Sequence, residues 1–120
     1  MKPVSNAFSD AIVDARIASI RSLLLVKGAE YSPGDGDRLH NFNRAAAVVG
    51  TTPESALVGM WVKHLVSVLD LVDGIGRGEL PTTARVDEKL GDTINYAILL
   101  EAMVKARLAE QAHSQTPLPF

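Results

Sequence analysis

The chain has 120 residues, 47% hydrophobic and 22% charged, with a net charge of −2 and no cysteine. That composition describes a folded globular chain with room for one modest core, not a disordered one. It excludes disulfides and thiolate metal sites, and it supplies no global positive charge to attract nucleic acid or an anionic membrane.

Read in order, the chain divides into four helical segments. The first runs from about Asn6 to Lys27, with Phe8, Ile12, Ile20, Leu23 and Leu24 near helical period and Gly28 as its stop. A turn-rich loop, Y-S-P-G-D-G-D, follows from Tyr31 to Asp37, and Gly36 or Asp37 can cap a second helix that ends at Gly50. Thr52 followed by Pro53 predicts the start of a third helix, running to about Asp73 and stopping at Gly74. After a Gly-rich loop, Thr82 or Thr83 caps a fourth helix to about Ala112, and the tail 113–120 is expected to be loose. No stretch alternates with period two, so no strand is expected. Four helices with mostly short connections predict an all-α antiparallel bundle forming one domain over 1–120. No apolar run reaches the ~20 unbroken residues of a membrane span, and no signal peptide is evident, so a cytoplasmic protein without a membrane partner is expected.

The fourth helix carries the most informative row. Glu88, Asp92, Asn95 and Leu99 are spaced by 4, 3 and 4 and share a face that is polar for two turns and apolar afterwards. Such a face predicts a bundle interior with a charged pocket at one end, because buried carboxylates need cationic or hydrogen-bonding partners. If the third and fourth helices form a hairpin, Asp70 and Asp73 lie near Glu88 and Asp92, with Lys63 about level with Asn95. Glu88, Asp92 and Asp70 could then offer hard oxygen ligands to Mg²⁺ or Mn²⁺. First-turn acids are also favoured by capping and the helix dipole alone, so the acidic start has a purely structural reading too. Lys63 could contact a phosphate or pair with Asp92 or Asp70. His64, in the row Trp61, His64, Val68, Leu71, reads as a hydrogen-bonded core histidine rather than a ligand. In the segment from Glu30 to Asn43, Phe42 could stack on a base while Asn41 or Asn43 reads its edge and Arg38 contacts phosphate; Phe42 could equally be core.

The run D-E-K-L-G-D-T-I-N-Y-A-I-L-L from Asp87 to Leu100 resembles the metal-binding helix of the MazG-like, all-α NTP pyrophosphohydrolases. It is closest in kind to small phage-borne relatives associated with nucleotide modification. K-G-A-E-Y-S-P-G-D-G-D-R-L-H-N-F-N-R-A-A from Lys27 to Ala46 and K-H-L-V-S-V-L-D-L-V-D from Lys63 to Asp73 fit the same relatives. The resemblance implies a MazG-like bundle that takes a nucleotide as its small-molecule partner, with Asp70, Glu88 and Asp92 on the metal and Lys63 and Asp92 serving catalysis. Arg38, Asn41, Phe42, Asn95 and Tyr96 would hold the nucleotide. It implies Mg²⁺ or Mn²⁺ if the protein is catalytic, and a homodimer or higher homo-oligomer. Two departures stand out. Asp70-x-x-Asp73 has shorter side chains than the family's E-x-x-E pair, and Glu88 and Asp92 are separated by three residues where the family has E-x-x-D. Two functions follow: a metal-dependent pyrophosphohydrolase, or a non-catalytic protein that binds or sequesters a nucleotide on the same scaffold.

Overall fold

The computed structural model describes residues 1–27, 36 and 38–114. Four α-helices account for most of them: α1 (Asn6–Ile20), α2 (His40–Val49), α3 (Pro53–Gly76) and α4 (Thr83–Ser114). No strand occurs among the described residues. The chain forms two compact units, Met1–Arg38 and Leu39–Phe120.

In the first unit, the Ser5 hydroxyl accepts from the Phe8 amide at 3.1 Å and starts α1 where the sequence places it. The helix widens into a π-helical stretch, Arg21–Lys27. No residue of α1 is buried, and Phe8, Ile12, Val13 and Ile17 are all exposed. The predicted stop at Gly28 lies outside the described residues.

In the second unit, α2 packs on α3 and α3 on α4. The start of α2 differs from expectation. Leu39 occupies the cap position with no side-chain hydrogen bond, later than the predicted Gly36, while Asp37 lies outside the described residues. Gly50 ends α2 at φ 72°, the left-handed turn its sequence predicts. Thr52 caps α3, its hydroxyl accepting from the Ser55 amide at 3.2 Å, with Pro53 in the first turn.

The end of α3 corrects the sequence reading. Gly74 does not stop the helix; it is buried inside it. Of the closing glycines only Gly78 turns left-handed, at φ 83°. The Gly78 amide donates to the Ile75 carbonyl at 2.9 Å and the Glu79 amide to the Gly74 carbonyl at 2.8 Å. These two bonds form a Schellman closure around Gly78, so α3 gains most of a turn over the prediction. Thr82 then caps α4, accepting from the Arg85 amide at 3.2 Å, and α4 continues to Ser114.

Phe42 of α2, Leu57 of α3 and Met103 of α4 form the core, with Leu57 completely buried. Met60, Trp61, Tyr96, Leu99 and Leu100 pack around them. The far end of the α3–α4 pair is tied by Arg107, whose guanidinium donates to both Glu54 carboxylate oxygens at 2.6 and 2.9 Å.

Candidate functional site

The polar residues that come together lie on the seam between α3 and α4. Arg107 reaches back to Glu54 while Asp92 faces His64, so the two helices run antiparallel. His64 Nδ1 stands 3.5 Å from Asp92 Oδ2. The His64 ring lies against Tyr96, with centroids 4.8 Å apart and planes tilted by 35°. Tyr96 in turn meets Phe42 edge-on at 6.1 Å. Burial pushes the Tyr96 hydroxyl above its ordinary pKa, and the Asp92 carboxylate adds to the effect.

The His64–Asp92 pair also sets a register. One turn back along α3 is Trp61, and one turn on along α4 is Asn95, so these two residues sit at the same level of the seam. Both carry buried polar atoms. Trp61 Nε1, a donor, and Asn95 Oδ1, an acceptor, have no hydrogen-bond partner among the described residues, and neither does Thr93 Oγ1. Buried polar atoms are nearly always paired, so an unmatched donor and acceptor at one level of one seam are the atoms here that call for a partner.

The predicted residues divide into two groups. Asp92, Asn95 and Tyr96 gather at this seam, and Phe42 reaches it as a core ring rather than an exposed stacking platform. The others do not. Lys63 is exposed, and its neighbour His64 takes the partner, Asp92, that the sequence offered to Lys63. A single residue step rotates a helical side chain by about 100°, which is enough to exchange their roles. Asn41 is exposed on α2, and Arg38, in the first unit, donates to the Leu24 carbonyl. Asp70 lies at an open recess at the far end of α3 that Arg77, Glu79 and Arg85 also line. Glu88 is exposed, 3.4 Å from the Lys89 ammonium, and Asp73 is exposed as well.

This dispersal bears on the metal. A Mg²⁺ ion shared with substrate phosphates is held by one or two carboxylates together with waters. Asp92 faces a histidine, Glu88 faces outward, and Asp70 borders two arginines. Among the described residues no group of three or more His, Asp or Glu side chains could hold a metal ion. The three predicted ligands are thus dispersed along the two helices rather than gathered in one carboxylate cluster. Sequence reasoning passed over Trp61 and Thr93 and read His64 as core. The signal was present in the Trp61–His64 row, which faces Asn95 and Asp92 once the hairpin register moves by two residues.

No known protein family, curated protein or solved structure matches this chain.

Proposed function

We propose that this protein binds a nucleotide without hydrolysing it, on a MazG-like helical bundle, with the base received at the α3–α4 seam. The observation that carries the reading is the unmatched pair of buried atoms, Trp61 Nε1 and Asn95 Oδ1. A nucleobase edge presents a hydrogen-bond donor beside an acceptor, the complement of an indole N–H and an amide oxygen. The His64–Tyr96 stack beside it offers the aromatic surface on which a base packs. The choice of a nucleotide over other planar amide-like ligands rests on the resemblance of the Asp87–Leu100 run, which includes Asn95 and Tyr96. The scattered carboxylates favour binding over metal-dependent hydrolysis, and no catalytic step is assigned to Lys63 or Asp92.

The test combines calorimetry and product analysis. The protein is titrated with a panel of nucleoside mono- and triphosphates, with and without Mg²⁺, and the recovered nucleotide is examined by chromatography. Saturable binding with the nucleotide recovered intact, lost in Asn95→Leu, is the expected result. Release of pyrophosphate would overturn the non-hydrolytic reading, and absence of binding at millimolar nucleotide would overturn the proposal altogether.

A further inference from the structure

Helix α3 is apolar on two sides. Its inner side, carrying Leu57, Trp61, His64 and Leu71, faces the core and the α3–α4 seam. Its outer side carries Val58, Val62, Leu65, Leu69 and Val72, each between 38% and 60% exposed. At 100° per residue the centres of the two stripes lie roughly 105° apart around the helix. The outer residues are spaced 4, 3, 4 and 3, the alternation by which one helix seats another along a shared seam. The stripe is about 21 Å long at 1.5 Å per residue. Contiguous exposed apolar surface on that scale marks an interaction site.

The sequence of the stripe says what covers it. From Val62 to Val72 it reads V-K-H-L-V-S-V-L-D-L-V, nearly a palindrome about Ser67. Valine at 62 mirrors valine at 72, Leu65 mirrors Leu69, and Val66 mirrors Val68. A two-fold axis level with Ser67 would lay the helix antiparallel on its own copy, with Val62 against Val72 and Leu65 against Leu69 in the central layers. The surface is then its own complement, as a two-fold interface requires. The charges agree with this direction. Lys63, Asp70 and Asp73 flank the stripe on one side, so an antiparallel copy brings Lys63 beside the acidic end of its partner. A parallel copy would crowd four carboxylates at one end.

We infer that the outer face of α3 is a homodimer interface, formed by antiparallel pairing of two copies of this helix about Ser67. The inference is independent of the nucleotide reading, which rests on the inner stripe and not on these residues. By length and composition α3 could also cross a membrane, with a mean hydropathy of 1.5 in its most apolar window, so a lipid surface is the alternative that the experiment separates.

The test uses the full chain, in which any introduced cysteine is unique because the protein has none. Sedimentation equilibrium at micromolar concentration should give a dimer, and L65E/L69E, which sets glutamates face to face at the centre, should give a helical monomer by circular dichroism. The double variant V62C/V72C should form a disulfide-linked dimer on mild oxidation, because facing layers bring the two positions within bonding distance. V62C alone should not, since the antiparallel pairing holds its copies about 15 Å apart along the axis. A wild-type monomer, a dimer indifferent to L65E/L69E, cross-linking through V62C alone, or flotation of the wild type with phosphatidylcholine vesicles in place of dimerisation would each overturn the inference.

Discussion

Asn95→Leu separates a ligand-receiving amide from a structural one. Asn95 is buried, and its Oδ1 has no partner among the described residues. Leaving a buried acceptor unsatisfied costs about 1–3 kcal/mol, while an apolar group of the same shape removes that penalty. Leucine has nearly the shape of asparagine, and Leu99, one turn along the same row, already packs against the core cluster. The substitution is therefore expected to stabilise the free protein by about 1–3 kcal/mol, which for a unit of this size raises the melting midpoint by at least ~4 °C. The same change removes the acceptor for the base, so stability and binding should move in opposite directions. Urea denaturation at one fixed protein concentration, followed by circular dichroism, reads the first, and calorimetry with nucleotide reads the second. A loss of 1 kcal/mol or more in Asn95→Leu would refute the reasoning, because it would mean that the amide is already satisfied within the fold.

Three further outcomes follow from the geometry. Leu57→Ala, at the one large side chain that is completely buried among the described residues, should destabilise the protein by about 2–5 kcal/mol, measured by the same urea titration. The two hydrogen bonds from Arg107 hold the Glu54 carboxyl below its ordinary range, so their stabilisation is complete above the usual glutamate pKa and fades as pH falls through the lowered value. The stability difference between wild type and Glu54→Gln should accordingly shrink on acidification below about pH 4.5 in a pH series of melting curves; a difference that grew with acid would contradict the pairing. Burial first, and Asp92 second, raise the Tyr96 pKa, so this residue favours folding below the ordinary tyrosine range, and that contribution is lost as pH rises through and above it. In a Tyr31→Phe background, which leaves Tyr96 as the single tyrosine, ultraviolet titration should find it ionising above the ordinary value, and Asp92→Asn should undo only the smaller part of the shift. Ionisation at or below the ordinary range would contradict the buried placement.

Much of the fold is legible from local chemistry. Thr52 with Pro53, Gly50 and Thr82 punctuate the helices where they stand in the sequence, because a capping hydroxyl or a left-handed glycine acts within one turn. The end of α3 is not legible by the same means. Three glycines, at 74, 76 and 78, compete for it, and the winner is decided by which amide reaches the Gly74 carbonyl, a matter of three-dimensional closure. The polar-then-apolar row on α4 correctly locates Asp92 and Asn95 on the inner side. Their partners depend on the register of the α3–α4 hairpin, and a shift of two residues exchanges Lys63 for His64 and brings Trp61 level with Asn95. The placement of the carboxylates depends on the same kind of long-range packing. Asp70 and Glu88 have metal-binding chemistry and plausible spacing, but nothing local in their sequence reveals that one lines an open recess shared with Arg77 and Arg85 while the other is exposed beside Lys89. The outer stripe of α3 is written in the sequence as a palindrome, and it became meaningful only once the inner stripe accounted for the contact with α4.

Trp61 is the only tryptophan in the chain, so its indole N–H gives a single, isolated signal in a ¹H–¹⁵N correlation spectrum. Titrating labelled protein with nucleotide tests the proposed seam at the atom on which it rests. The account predicts a saturable displacement of that signal in the wild type and none in Asn95→Leu. An indole signal that stays in place while nucleotide binds would contradict it.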